Sequence, residues 1–227
     1  VADALGVAWS APSPTGSGLE LVHRDVKPAN IRLGRHGDVK LLDFGIARAA
    51  DLQREAKTAT STIIGTVPYM APERFDAGAP VGPAADVFSL GTVLYEGLAG
   101  ERLLSALSPR DAYVLAMDPE AYLAYVTARL DALSHPQPPL RALLADTLAY
   151  DPAARPSAAE VAARCEQLAE ALPGSGLRRY CRDRVWAELR PVPGRLDGQL
   201  LPAMPTPKPR RWPWVVAAVG GVGVAVA

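Results

Sequence analysis

His23-Arg24-Asp25-Val26-Lys27-Pro28-Ala29-Asn30 packs an imidazole, two cations, a carboxylate and a carboxamide into eight residues, and Asp43-Phe44-Gly45 follows 18 residues after Asp25. Alone, His-Arg-Asp is a tripeptide of many solvated surfaces and decides nothing. The second block changes its weight, because Asp38-Val39-Lys40-Leu41-Leu42 reads as a short strand feeding the Asp-Phe-Gly turn. Three further blocks follow in order: Gly65-Thr66-Val67-Pro68-Tyr69-Met70-Ala71-Pro72-Glu73, then Asp86-Val87-Phe88-Ser89-Leu90-Gly91, then Asp151-Pro152-Ala153-Ala154-Arg155-Pro156.

The pattern between the blocks is mainly helical. A helix ends ahead of His23, strands are predicted at Ile31–Leu33 and Val39–Leu42, and a long segment without helical periodicity runs on to Glu73. Helices are predicted at Ala84–Ala99, Pro109–Leu115, Pro119–Leu133, Pro139–Leu148 and Ala158–Leu172, with Pro152 and Pro156 marking the turn between the last two.

Taken together, the five blocks resemble those of a bacterial, Hanks-type Ser/Thr protein kinase, and they cover residues 1–172. The resemblance implies a protein kinase-like α+β fold, of which the part present is the mainly α-helical large lobe. Phosphoryl transfer needs a hydroxyl positioned in line, the charge on the γ-phosphoryl neutralised, and metal ions held against the phosphates. By resemblance, Asp25 is the base, Asn30 and Asp43 are ligands of Mg²⁺ or Mn²⁺, and Lys27 faces the γ-phosphate of ATP. Thr66 would bridge Asp25 and Lys27, a pattern that favours Ser/Thr over Tyr as acceptor. Glu73 would pair with Arg155, Asp86 would accept hydrogen bonds from the catalytic-loop backbone, and His23 would pack beneath the turn of Phe44 and Gly45. These last six are read as structural.

Arg24, beside the base, implies regulation, since a planar guanidinium fork matches phosphate oxygens bidentately. Autophosphorylation at Thr58, Thr60, Ser61 or Thr62 would supply that phosphate and order the segment. Two departures from the family pattern stand out. The loop Ser10–Leu21 is long and rich in Pro, Gly and Ser. Arg32 also sits where kinases place an apolar side chain under the adenine, so its stem would pack there with the head in water.

The glycine-rich loop, strand lysine and helix glutamate that precede the catalytic loop in a complete kinase are absent from these 227 residues. With Val rather than Met at position 1, the chain reads as the C-terminal lobe of a longer kinase, inactive by itself.

The net charge of zero hides an asymmetry: residues 1–177 hold 15 basic against 21 acidic side chains, and residues 178–227 hold 9 against 3. A basic tail beside an acidic domain suggests an anionic surface as partner, here membrane lipid rather than nucleic acid. Residues 173–211 read as a disordered, Pro- and Arg-rich juxtamembrane linker in which Arg178, Arg179, Arg182 and Arg184 either touch anionic lipid or belong to a solvated helix end. Lys208-Pro209-Arg210-Arg211-Trp212-Pro213-Trp214 then leads into thirteen residues of Val, Ala and Gly, so 212–227 read as the start of a transmembrane helix. The expected location is a single-pass protein of the inner or plasma membrane with a cytoplasmic kinase domain, able to homodimerise through Gly220, Gly221 and Gly223. Cys165 is expected in the core and Cys181 at the linker, and no metal or disulfide framework is seen.

Two function classes follow. One is a membrane-anchored Ser/Thr kinase that phosphorylates itself and other proteins in signal transduction; the other is a pseudokinase-like binding or scaffold module. The intact set Asp25, Lys27, Asn30, Asp43 and Thr66 favours the first.

Overall fold

Helix α1 (Ala2–Ser10) turns its apolar residues Ala2, Leu5 and Ala8 inward, and the amides of Leu19, Glu20 and Leu21 bond back to its C-terminal carbonyls and to Ala11 O. A short 3₁₀ turn at Pro28–Asn30 leads into β1 (Ile31–Leu33), which pairs antiparallel with β2 (Val39–Leu41) in the register Ile31↔Leu41, Arg32↔Lys40, Leu33↔Val39. The computed structural model describes residues 1–12, 19–44, 67–76, 78–134, 137–172 and 176–183. Among these, the strand pair is the only sheet.

Proline opens the next four helices, α2 (Pro83–Ala99), α3 (Pro109–Ala116), α4 (Pro119–Asp131) and α5 (Pro138–Thr147). Its fixed φ and missing N–H suit a first helical turn, where the amide has no intrahelical partner anyway. Ser108 and Asp118 cap α3 and α4 through their side chains. Helix α6 (Ala158–Ala171) starts on a reciprocal cap in which Ser157 and Glu160 each satisfy the other's backbone amide. All these bounds lie within one or two residues of the sequence pattern.

Helix α2 is the hub. Phe88 and Tyr95 pack with Tyr122, Val126, Leu130, Leu144 and Leu148 of α4, α5 and the end of α5. From a neighbouring face of α2, Val87 meets Ala2, Leu143, Val161 and Ala162 of α1, α5 and α6. Burying a Leu, Val or Phe side chain of this kind contributes roughly 1.5–3 kcal/mol. Gly91 lets α5 approach closely: a Cβ there would lie 2.5 Å from Thr147 Oγ1. Packed on two sides, α2 carries in its first turn the carboxylate that meets the loop at His23 and Arg24.

Two expectations are overturned. Residues Leu177–Asp183 form a further helix, α7, inside the segment read as linker without regular structure. Between Pro173 and Pro191 the linker has no proline, and the Leu-Arg-Arg-Tyr run carries no breaker. Cys165 is exposed, whereas Cys181 on α7 is fully buried, the reverse of a core Cys165. Helix α7 comes against the β1–β2 turn at Gly37, which has φ +83° and whose Cβ would lie 3.0 Å from the Arg178 backbone. Only a residue without Cβ fits that approach at positive φ. No helix among the described residues is long and apolar enough to cross a membrane. Residues 212–227, read as the start of such a helix, and most of the linker lie outside the described residues.

Candidate active site

The catalytic loop is held by its backbone before any side chain is considered. His23 N and Arg24 N donate to Asp86 Oδ2 and Oδ1 at 2.6 and 2.7 Å, so one carboxylate in the first turn of α2 grips two successive amides. Asp86 is buried, and burial pushes its carboxyl above the ordinary range, while the amide hydrogen bonds of His23 and Arg24 act in the opposite direction.

His23, wholly buried, joins the two halves of the site. Its Nδ1 accepts from Asp25 N at 3.2 Å, which leaves the proton on Nε2 to be donated to Leu42 O at 2.9 Å. The ring also packs on Phe44, centroid to centroid 4.6 Å. The residue before Asp43 is thereby tied to the loop that carries Asp25.

Asp25 stands at the centre. Lys27 Nζ donates to its Oδ1 and Oδ2 at 3.1 and 2.9 Å, and Asn30 Nδ2 reaches its Oδ2 at 3.1 Å and its main-chain oxygen at 2.8 Å. The carboxylate is buried, and both its oxygens are met by donors that orient it. Arg24 and Asp43 both sit in the left-handed region, with φ 65° and 56°. Such strain in a non-glycine residue costs of order 1–3 kcal/mol and persists only where surrounding contacts enforce it.

Asn30 is buried at the start of β1, and Asp43 is exposed just past the end of β2. The hairpin returns the chain so that both flank the catalytic loop, with Leu42 N donating to Asn30 O at 2.8 Å. Because the Asn30 amide nitrogen is spent on Asp25, its carbonyl oxygen is the atom left to meet a cation. An amide oxygen and a carboxylate make a hard, two-oxygen donor set, which fits Mg²⁺ or Mn²⁺ completed by water and phosphate oxygens. Among the described residues no cluster of three or more His, Cys, Asp or Glu offers a self-sufficient metal cage. Arg32 is exposed on β1 directly opposite Lys40.

Away from the loop, Arg155 Nη1 and Nη2 donate to Glu73 Oε1 and Oε2 at 2.7 and 2.9 Å. The same guanidinium reaches Ala84 O, Ala149 O and Tyr150 O and lies 4.9 Å from the Phe88 ring centre. All five of its N–H groups are thus used. This binds the Pro72–Phe75 turn to the start of α2 and to the chain ahead of α6. Arg74, in that same turn, donates from Nη1 to Arg24 O at 2.7 Å, a contact that sequence reasoning missed. Nothing in the spacing of Arg74 from Arg24 marks it.

The structure therefore gathers Asp25, Lys27, Asn30 and His23 with Phe44 at one place and Glu73 with Arg155 at another, both resting on α2. Gly45, Thr58, Thr60, Ser61, Thr62 and Thr66 lie outside the described residues.

Comparison with known proteins bears on the whole arrangement. The family model for the protein kinase domain matches residues 18–165. A probable serine/threonine-protein kinase of Corynebacterium efficiens is 36% identical over 206 residues, 87% of this chain and 29% of that protein. The serine/threonine-protein kinase PknB of Mycolicibacterium smegmatis is 49% identical over 81 residues, 36% of this chain and 13% of that protein. The serine/threonine-protein kinase PknA of Mycobacterium tuberculosis is 38% identical over 143 residues, 60% of this chain and 29% of that protein. The chain spans less than a third of the length of these curated relatives.

Proposed function

This chain belongs to the protein kinase family, and we propose that it is the large lobe and tail of a membrane-anchored kinase that transfers the γ-phosphate of ATP to Ser and Thr hydroxyls of proteins. The observation that carries the reading is the state of Asp25: an oriented carboxylate, met by Lys27 and Asn30, in a loop whose backbone is fixed by Asp86.

Asp25 would accept the proton of the attacking hydroxyl. A positioned base of this kind contributes typically 10²–10⁴-fold. Lys27, already within 3.1 Å of both Asp25 oxygens, can share its ammonium between that carboxylate and the transferred phosphoryl group. Asn30 and Asp43 would hold Mg²⁺ or Mn²⁺, which when bound neutralises charge on the phosphate oxygens. His23 and Phe44 keep Asp43 in register with Asp25 through the Leu42 carbonyl. Arg32 would lie under the adenine, and Thr66 would complete the link between Asp25 and Lys27.

Regulation and location extend the proposal. Arg24 would dock a phosphate placed by autophosphorylation on Thr58, Thr60, Ser61 or Thr62, and protein substrates would follow. The basic residues and tryptophans ahead of Val215 support a cytoplasmic kinase domain, anchored by a single helix and close to anionic lipid, with a second copy as the first substrate. Residues 1–227 without a glycine-rich loop or strand lysine are expected to transfer phosphate at a negligible rate.

The test is made on the full-length enzyme. Asp25→Asn should lower kcat on the order of 10²–10⁴-fold, and Asp43→Asn should abolish Mg²⁺-dependent nucleotide binding. Phosphoamino-acid analysis should return phosphoserine and phosphothreonine. Unchanged activity in Asp25→Asn would remove Asp25 as the base, and no transfer by the wild-type full-length protein would point instead to a binding module.

A further inference from the structure

Arg24 is held in a strained conformation at φ 65°, and the question is what enforces it. Its N–H is taken by Asp86 Oδ1, but that bond fixes only the peptide before it. The peptide after it, which joins Arg24 to Asp25, is anchored at both atoms. Its N–H donates to His23 Nδ1 at 3.2 Å, and its oxygen accepts from Arg74 Nη1 at 2.7 Å. The first of these is long and local, the second short and carried by a full charge. Charge-assisted hydrogen bonds are roughly twice as strong as neutral ones. Rotation of this peptide would swing the Asp25 Cα and, with it, the carboxylate that Lys27 and Asn30 meet.

Arg74 differs from the other anchors in origin. Asp86 comes from α2, and His23 and Asn30 belong to the loop itself. Arg74 stands instead in the Pro72–Phe75 turn, one residue after Glu73, which Arg155 clamps to the helical core. The Pro72–Phe75 turn and the base are thereby joined by one side chain. Arg74 also acts electrostatically on Asp86, favouring the ionised form that accepts from both amides.

We propose that Arg74 is a positioning residue for phosphoryl transfer: it locks the Arg24–Asp25 peptide, and so the Asp25 carboxylate, to the Pro72–Phe75 turn. The assignment rests on Asp25 being the catalytic base. It predicts that loss of the Arg74 donor reaches Asp25 through this bond, without any change in the metal or nucleotide ligands.

Two variants of the full-length enzyme test it, Arg74→Met, which removes the donor, and Arg74→Lys, which keeps a charged donor of shorter reach. Arg74→Met should lower kcat roughly tenfold or more, the size expected for loss of one charge-assisted hydrogen bond, with KM for ATP unchanged. Arg74→Lys should recover a substantial part of kcat. The acid limb of the pH–rate profile should move to higher pH in Arg74→Met, because Asp86 loses a neighbouring cation. Amide exchange at Asp25 should accelerate in Arg74→Met while α2 stays protected. That readout needs no activity, so it fails separately from the assignment of Asp25 as base. The proposal is overturned if kcat in Arg74→Met stays within about twofold of wild type, or if Asp25 exchange is unchanged. It is equally overturned if ATP affinity, α2 protection and kcat decline together with no recovery in Arg74→Lys. Should Arg74→Met not fold, Arg74→Gln, which also removes the cation, is held to the same exchange and pH criteria.

Discussion

Two carboxylates flank the first turn of α2, and they are answered in opposite ways. Glu73 meets a guanidinium bidentately, and Arg155 spends its remaining donors on three main-chain oxygens. Among the described residues, Asp86 meets two main-chain amides and no directly bonded cation. The first arrangement ties three stretches of chain together and serves the fold. The second keeps a charge in a buried place where burial disfavours it, and serves the geometry of residues 23–25. Stability and activity should therefore separate when each is altered.

Breaking the Glu73 site should have the largest effect. Arg155→Met leaves a largely buried carboxylate and three carbonyl oxygens without their donor, and the expected loss is about 3–5 kcal/mol of unfolding free energy. Urea unfolding at neutral pH measures it. A loss below about 1 kcal/mol would mean that water replaces the guanidinium and that the pair is no anchor.

Asp86→Asn should behave differently. The neutral amide removes the disfavoured charge, so unfolding free energy at neutral pH should equal or slightly exceed that of wild type. Its NH₂ group cannot accept from the second backbone amide, however, and kcat should drop on the order of 10²-fold through misplacement of Asp25. A destabilised Asp86→Asn with full activity would reverse the assignment of roles.

The pH dependence sharpens the contrast. Asp86, with its folded value raised, binds its proton more tightly in the folded state. Its contribution to stability is therefore fully present below the unfolded value and is lost as pH rises through the folded one, by at most about 1.4 kcal/mol per pH unit. The stability advantage of Asp86→Asn over wild type should consequently vanish on acidification across that interval. Glu160, lowered by its bonds to Ser157, contributes with the usual opposite sign. An advantage that grows on acidification would contradict the burial argument.

The smallest effect is expected far from both carboxylates. Gly37→Ala forces a side chain into positive φ against the Arg178 backbone, at a cost of about 1 kcal/mol. Its signature is local: Cys181 on α7 should become reactive to thiol reagents, whereas exposed Cys165 reacts in both proteins. If Cys181 stays inert in the variant, α7 is held elsewhere.

How much of this was legible in the sequence follows from the reach of each interaction. Prolines at the first helical positions and the Ser157–Glu160 cap are local signals, and the helix bounds were readable to within one or two residues. Asp25, Lys27 and Asn30 lie within six residues, so their convergence needs only a tight turn at Pro28–Asn30. Asp86 and Arg155 were legible by resemblance, since their partners lie some 60 and 80 residues away and no local rule connects them. Arg74 escaped notice because its role depends on a main-chain oxygen, which leaves no mark in the sequence of its partner. Helix α7 and the burial of Cys181 escaped for a related reason: seven residues with little amphipathic pattern are decided by what they pack against, here the turn at Gly37.

The most direct test of this division of labour is the rate per folded molecule, with folded fraction and kcat at saturating ATP and peptide measured in the same samples of full-length Asp86→Asn and Arg155→Met. The account predicts that Arg155→Met loses folded protein while each folded molecule keeps kcat within a fewfold of wild type. Asp86→Asn should instead stay folded and lose on the order of 10²-fold per folded molecule. Equal rates per folded molecule in the two variants, or the larger loss in Arg155→Met, would contradict it.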